Sequence, residues 1–527
     1  MAKIDKHQLF HVDATEESVC NRFGDAVIPQ NPCMAPNGMN GAHQDSWCTE
    51  SVPFTGPTSG QLSMIRQHNP YGFTPIMGCN QHGQMVGMCL MFVDQESQFN
   101  LAVFDEDCKI LSATPTGTSK SLSFAGGYFY LDQNCNAVAV GNGCVQCFPT
   151  GNPFTDLGYI KKLEPLWKSD SIVDLVDKKF GNTNGNKLYA NLPVWKQPSD
   201  DYILTWCLMA GKFDHKTKVV LTEAAMALVK ITTSGNDVGK TELLDVKKCD
   251  KQWNNNTFTV TKTGAIFVTN GGRINESDSP ADSYIWKVSA QQNKAGAWSI
   301  HEEWKSTYEN CGLIKKGQTN IGCGTTPTIF DEGAKVAITD NASPQINVVV
   351  YDTTNGKKLS QTPVFPKMRS ANEASLIGVE KHLVVENNFG HATGSFFTPQ
   401  TVANEPGMAM FKVSDQTGKE KSKGESPREE IIWESSESFL AMTMLARKSG
   451  IIFATTGDWS GNNSCVDGAM YYMIAKDSYD GRIIWRLPMG VGKTFAHDYG
   501  GIYFNRLGNK IYVGTNDYII CIKNTVH

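Results

Sequence analysis

Four side chains of this chain combine proton-moving chemistry with a placement at the ends of short apolar runs: Glu373, Glu386, His391 and His497. They lie in Ser370-Ala-Asn-Glu-Ala374, Glu386-Asn-Asn-Phe-Gly-His-Ala-Thr393 and Phe495-Ala-His-Asp-Tyr499. A carboxyl in partly dry surroundings is raised toward neutrality and can give or take a proton. A histidine titrates near neutral pH and can do the same. Together they suit acid/base chemistry on a small organic molecule, as in a lyase, an isomerase or a hydrolase. No G-x-S-x-G occurs, so no nucleophile elbow supports covalent acyl transfer. Nearby polar and aromatic residues are the expected substrate contacts: Thr325, Thr326, Asn372, Asn387, Asn388, Trp459, Asp498, Tyr499 and Arg273. Asp340, Glu373 and Glu386 also offer hard oxygen ligands suited to Ca2+; EF-hand spacing is absent, so such a site would have to be assembled from separate segments. Against these readings stands a plainer one. Asp and Asn after a strand commonly cap turns through the backbone, and bracing is the expected role of Asp340, Asn341, Asn387 and Asn388.

The elements that must position these residues are short strands. From about residue 61 the chain is a series of runs of four to seven residues rich in Val, Ile, Tyr and Phe, bounded by Gly, Asp or Asn, such as Lys335-Val-Ala-Ile-Thr339 and Lys510-Ile-Tyr-Val513. Helical periodicity is weak except over Ser171 to Phe180. A repeat runs through the strands: strand A, a polar hairpin, strand B, a long polar loop, strand C, a D-x-x-x-G turn, strand D. Copies occur at Thr325 to Phe365 and Phe439 to Leu487, with turns Asp352-Thr-Thr-Asn-Gly356 and Asp477-Ser-Tyr-Asp-Gly481. The expected fold is all-β: one closed β-propeller of eight four-stranded blades, with seven as runner-up. Blades are placed near 73–115, 121–165, 202–246, 256–305, 324–366, 372–435, 439–490 and 497–525, with 166–201 as an insertion. The last blade has three strands, and an exposed edge is avoided in folds. A strand near Gln61 to Gln67 is therefore expected to close the ring. Residues 1–60, rich in Pro, Gly, Asn, Met and Cys, read as an irregular arm packed on the 61–527 body.

The D-x-x-x-G turn leading to a strand that ends near Trp resembles the repeat of quinoprotein-like propellers. Gly324-Thr-Thr-Pro-Thr328, Ala337-Ile-Thr-Asp-Asn-Ala342, Ser370-Ala-Asn-Glu-Ala-Ser-Leu-Ile-Gly378, Val385-Glu-Asn-Asn-Phe-Gly390 and, more weakly, Gly126-Gly-Tyr-Phe-Tyr-Leu-Asp132 resemble an uncharacterised family of mostly secreted bacterial propellers within that superfamily. The resemblance implies the fold and brings no catalytic assignment. Relatives that bind pyrroloquinoline quinone often carry adjacent cysteines beside it; none occur here, which disfavours a quinone-dependent dehydrogenase.

Antiparallel alternation sorts the loops into two faces. The A–B hairpins, such as Arg506-Leu-Gly-Asn509, fall on one face as ordinary solvated turns. The D–A connections and B–C loops fall on the other and carry every candidate residue above, with Trp253-Asn-Asn-Asn256. A rim of this kind around a central funnel is where rigid scaffolds commonly place function. A non-catalytic binding or scaffold propeller is the alternative.

Bulk properties narrow the partners to a small-molecule ligand. Net charge is −5, with 48 basic and 53 acidic residues and no basic block, which argues against nucleic acid. No apolar run approaches the roughly 20 residues of a membrane span. Met1 to Phe10 shows no apolar leader segment, so the expectation is a soluble, cytoplasmic protein, with a secreted one whose leader has been removed as the alternative. Of 15 cysteines, Cys89, Cys207 and Cys521 read as buried small hydrophobes. Cys144 and Cys147 lie in a strand and face opposite sides, so they cannot share a metal. Cys311 with Cys323, or two of Cys20, Cys33 and Cys48, could pair in an oxidising compartment.

Overall fold

The computed structural model of the protein describes the chain apart from residues 1–7, 13–22, 59, 94–95, 120–126, 182–186, 198, 215, 255, 274, 276, 278, 319–320, 391–404, 415–427, 441, 459–467, 498 and 526–527. Eight antiparallel blades form a β-propeller. The fifth blade illustrates the unit. Its strands Thr328–Phe330, Lys335–Thr339, Asn347–Asp352 and Lys358–Pro363 pair in sequence order from the axis outward. The three inner strands are almost wholly buried and the outer one is half-buried, which matches the fading apolar content from TIF and KVAIT to KLSQTP.

The Trp and Gly of the repeat meet across blade seams. Gly356 has φ 71° and closes the turn by accepting no side chain at all: a Cβ there would lie 2.6 Å from the ring of Trp304, in the outer strand of the preceding blade. Trp304 Nε1 donates to Thr353 O at 3.0 Å. Two blades on, Gly481 is pressed in the same way against Trp433, whose Nε1 donates to Ser478 O at 3.0 Å. The spacing of D-x-x-x-G and Trp thus encodes the joint between neighbours.

Closure occurs where expected. Gly60–His68 pairs antiparallel with Tyr518–Asn524, completing the blade begun by Ile502–Phe504 and Lys510–Gly514. Gln8–Val12 adds a fifth, outermost strand to the same sheet. The expected insertion at 166–201 is corrected. Trp167–Lys168 is the outer strand of the second blade and Leu188–Pro193 the inner strand of the third, so only 169–187 lies between them. That segment holds the helix Ile172–Phe180, capped by Ser171, whose side chain accepts from Asp174 N–H, and by left-handed Gly181. Both flanking strands were missed for a physical reason: one is two residues long, and the other, LYANLP, carries Asn and Pro.

The arm takes an unforeseen course through the central channel. Inner strands turn one backbone edge toward the axis, and those groups need partners. Ala35 N donates to Leu131 O, and Cys79 N to Met39 O, each at 2.8 Å. Then, blade after blade, Val260 N donates to Ser46 O, Ile329 N to Trp47 O, Gly378 N to Thr49 O and Leu445 N to Glu50 O, at 2.8–3.0 Å. Ser51–Val52 runs parallel to Met444–Ala446. Residues 43 to 52 are almost completely buried.

Removing residues 1–58 would strip five inner-strand N–H groups, those of Cys79, Val260, Ile329, Gly378 and Leu445, of their acceptors while leaving Gly60–His68 to close the ring. Each buried donor left unpaired costs about 1–3 kcal/mol. The truncated chain is expected to melt at a clearly lower temperature by circular dichroism; an unchanged midpoint would remove the arm from the account of stability.

Candidate functional site

Above the threaded arm, the channel opens into a cavity at the face that carries the D–A connections. The free space it encloses is about 60 Å3, within some 630 Å3 that include the open mouth. The floor is Ala42 and His43 of the arm. The walls come from around the ring: Pro75 and Ile76 of the first blade, Tyr128 from the entry to the second, Tyr189 of the third and Asn256 of the fourth. Glu373 and Ser375 enter ahead of the sixth, Met442 ahead of the seventh and Tyr499 ahead of the eighth.

His43 is the organising group. Its Nδ1 bonds the carboxyl of Glu50, and both residues are buried. Its Nε2 lies 3.2 Å from the Thr326 hydroxyl. Thr326 Oγ1 donates to Asn256 Oδ1 at 3.0 Å, and Tyr128 OH donates to the same oxygen at 2.9 Å. Asn256 Nδ2 donates to Gly324 O. One connected set of hydrogen bonds thus spans the arm and blades two, four and five, and fixes the imidazole from both sides. The arm accepts backbone strain to do this: His43, Gln44, Cys48 and Glu50 all have φ between 48° and 69°. Such left-handed residues cost of order 1–3 kcal/mol each and cluster at functional sites.

Burial pushes the Tyr128 and Tyr189 hydroxyls up, and the carboxylate of Glu373 pushes both further, with Glu50 adding to Tyr128. Asp45 is raised to about 6, chiefly by burial; the Thr49 hydroxyl, the Trp47 N–H and Arg447 pull the other way. Burial raises the carboxyl of Glu386 well above the carboxylate range; Asn388 offsets part of this and the charge of Glu50 adds to it.

The residues expected from sequence divide sharply. Glu373 and Tyr499 line the cavity, and Tyr499 OH donates to Gly317 O. The Glu373 carboxyl packs against Gly324, where a Cβ would approach within 2.6 Å. Thr326 lies directly beneath, on His43. Asn372 and Asn388 hold the Glu373 segment: Asn372 Nδ2 donates to Glu386 O at 2.7 Å, and Glu373 N donates to Asn388 Oδ1 at 2.9 Å. Asn387 accepts from Ala371 N and Phe389 N, a bracing role. Thr325 accepts from Thr339 N at 3.2 Å and does not line the cavity.

Four expectations are corrected. Glu386 does not reach the cavity; it ends a buried strand, and neither carboxyl oxygen makes a hydrogen bond among the described residues. His497 is fully buried, with Nδ1 3.0 Å from the Thr455 hydroxyl and Gly500 pressed on its ring, so it too stands outside the cavity lining. Arg273 is tied by its backbone to Lys218 and Val220 of a peripheral hairpin. The calcium set of Asp340, Glu373 and Glu386 does not assemble: among the described residues no three His, Cys, Asp or Glu side chains meet where they could hold a metal. Asp340 spends its oxygens on Asn347 and Ala342, as a turn brace. His391, Trp459 and Asp498 lie outside the described residues.

His43 and Glu50 were missed because the arm has no periodicity to place it. The one signal available was a compact run, His43-Gln-Asp-Ser-Trp-Cys-Thr-Glu50, dense in polar chemistry inside an otherwise irregular segment. Cys33, Cys48, Cys311 and Cys323 carry free thiols, so neither expected disulfide that can be followed is formed. Cys89, Cys207 and Cys521 are buried as anticipated. Among the described residues no helix is long and apolar enough to cross a membrane.

No family model matches the chain, and no curated protein matches it. Solved propellers do. Sqt1 of Chaetomium thermophilum, bound to the N-terminus of ribosomal protein L10, is 9% identical, with 87% of this chain and 98% of that one covered and a TM-score of 0.48. Quinohemoprotein alcohol dehydrogenase from Comamonas testosteroni is 9% identical, with 94% and 82% covered and a TM-score of 0.48. The periplasmic gluconolactonase of Pseudomonas aeruginosa is 9% identical, with 70% and 87% covered and a TM-score of 0.32. At identities and scores this low, none bears on what this chain does.

The raised carboxyl of Glu386 has a measurable consequence. Its folded value stands above the ordinary 4.5, so the folded state holds the extra proton. The stability it contributes is complete below about pH 4.5 and is lost as pH rises toward the folded value. Glu386→Gln, neutral at every pH, should therefore gain on the wild type in urea unfolding as pH rises above about 4.5, by at most about 1.4 kcal/mol per pH unit until the folded value is reached. Parallel curves for the two proteins would show that Glu386 is not held protonated.

Proposed function

We propose that the protein is an enzyme acting on a small organic molecule in the cavity by proton transfer, with Glu373 as the acid/base group. The observation that carries this reading is convergence. A carboxylate, tyrosines and an amide from separate blades face one blind cavity whose floor is a histidine held at both nitrogens. A concave site with few, fixed polar groups is the usual form of a small-molecule site. Fixed orientation is also what acid/base catalysis needs, because a proton moves only over hydrogen-bonding distance. Glu373 would exchange the proton. His43, kept in register by Glu50 and Thr326, would orient or polarise the ligand from below. Such chemistry belongs to lyases, isomerases and hydrolases.

The quinone cofactor of the superfamily does not fit these residues. Pyrroloquinoline quinone is a flat tricarboxylate. The described lining offers it the Glu373 carboxylate and no Lys or Arg, and anions buried together without cations are costly.

A platform role has one observation in its favour. Leu157, Tyr159, Ile160 and Leu166 are 41–66% exposed within one segment at the outer side of the second blade. Exposed apolar side chains in such numbers can mark a contact surface. They are not among the residues that line the cavity and do not account for its convergent groups.

Incubating wild type and Glu373→Gln with a small-molecule cell extract, followed by mass spectrometry, tests the reading. At least one small polar compound should be consumed or formed by the wild type, and the variant should be slower by about 10²–10⁴-fold. Identical profiles for the two proteins would sink it.

A further inference from the structure

We propose that Cys108 and Cys521 are a disulfide-forming pair that locks the propeller where the two ends of its chain meet, the bond forming as the protein folds in oxidising surroundings. The geometry behind this is the docking of a turn of the first blade on the eighth. That turn, Asp105 to Lys109, joins the strands Glu96–Phe104 and Ile110–Ser119. It is held stiffly: Asp105 N donates to Lys109 O and Cys108 N to Asp105 O, while Asp105 Oδ1 accepts from Asp107 N and Lys109 N. On the eighth blade, Lys510–Gly514 and Tyr518–Asn524 pair with Lys510 opposite Lys523 and Tyr512 opposite Cys521. Side chains two residues apart, or directly opposite, share one face of a sheet. Lys510, Tyr512, Cys521 and Lys523 therefore form one patch. Three of its members reach the turn. Lys510 Nζ lies 2.6 Å from Glu106 Oε2, Tyr512 OH donates to Glu106 O at 3.0 Å, and Lys523 Nζ lies 3.1 Å from Asp107 Oδ1. The fourth, Cys521, meets Cys108. Both are fully buried in one apolar cluster with Tyr512 and carry free thiols. Burial holds the Cys108 thiol well above its ordinary range, and its hydrogen bond with the Cys521 side chain adds to this.

The place of the pair gives the bond its effect. Hydrogen bonds alone close the ring, between Gly60–His68 and Tyr518–Asn524. Gly60–His68 leads directly into the first blade at Phe73, so Cys108 belongs to the part of the chain that supplies the closing strand, and Cys521 to the part that receives it. A bond between them would enclose blades two to seven in one covalent loop. Such a link restricts the unfolded chain, and more so the longer the loop. The oxidant required is a small-molecule disulfide. The thiolate of one cysteine attacks it, forming a mixed disulfide and releasing one small thiol. The second cysteine then attacks the mixed disulfide and releases the other. Two protein thiols are oxidised to one disulfide, one small disulfide is reduced to two thiols, and the two protons end on those thiols. Attack needs a thiolate and access, which burial denies once the turn has docked. The exchange therefore belongs to folding, before the first blade settles on the eighth.

The test unfolds the full-length protein in denaturant and reductant, then refolds it either in a mixture of reduced and oxidised glutathione or in reductant alone. Remaining thiols are alkylated and the unreduced protein is digested for mass spectrometry. The glutathione sample should yield a peptide pair joined through Cys108 and Cys521 as its main cross-link. It should also melt a few degrees above the sample refolded in reductant. In Cys108→Ser and, separately, Cys521→Ala the two refolding conditions should give one melting temperature. Each variant refolded in reductant is compared with the reduced wild type by circular dichroism, and the cross-link itself is read on the wild type, so a variant that folds poorly does not decide the matter. Alkylation of both cysteines in the glutathione sample, or cross-links that join either of them mainly to another cysteine, would overturn the pairing. A Cys108–Cys521 bond that leaves the melting temperature unchanged, or a gain that persists in both variants, would overturn the lock.

Discussion

A propeller built of separate sheets has a structural debt at its axis: each innermost strand turns backbone groups toward the channel, where neither a fifth strand nor ordinary core side chains can satisfy them. Here the debt is met by a single stretch of chain. Ser46, Trp47, Thr49 and Glu50 present successive carbonyls to Val260, Ile329, Gly378 and Leu445, one blade at a time. To turn from blade to blade this fast, the arm adopts left-handed backbone at His43, Gln44, Cys48 and Glu50. Those conformations are strained, and the hydrogen bonds around the ring offset the strain. The same ladder converts an open tunnel into a pit with a floor, and the floor carries His43.

Electrostatics follows from that geometry. Threading the arm buries Asp45 and Glu50 on the axis, close to Glu386 of the sixth blade. Arg447 is the buried cation set against Asp45, and its Nη1 also donates to Ala26 O at 2.9 Å. Burial leaves Asp45 near 6 and raises Glu386 well above the carboxylate range, so part of this acid cluster stays neutral under conditions where exposed carboxyls are ionised. Above this axis the Tyr128 hydroxyl is raised chiefly by burial, with the charges of Glu50 and Glu373 adding to it.

Periphery and centre are held by different means. Between blades, the repeated turn and Trp meet as Gly356 on Trp304 and Gly481 on Trp433, contacts that depend on a missing Cβ. Around the cavity, Asn372, Asn387 and Asn388 clamp the segment that carries Glu373 to the strand ending at Glu386. Side chains that resemble a polar active-site rim in sequence are here mostly the fasteners of it. The acid/base candidate and its fasteners share one short motif because a side chain can be aimed only if its backbone is pinned nearby.

The sequence by itself determined what is periodic. Alternating apolar runs, the D-x-x-x-G turn and the recurring Trp specified the eight-bladed propeller, its closing strand at Gly60–His68 and the face toward which Glu373 and Tyr499 point, because each is set by contacts within a blade or between adjacent blades. Short strands lacking that pattern, such as Trp167–Lys168, escaped notice. Only the tertiary structure decided which candidates share a cavity. His497, in a D–A connection, and Glu386, at the start of a B–C loop, lie on the same face as Glu373 yet are buried outside the cavity, since loop order sets the face of a residue and not the direction of its side chain. The course of residues 34–56 was likewise beyond local reading. Their conformation is imposed by partners up to 458 residues away, around a ring that exists only once the chain has closed.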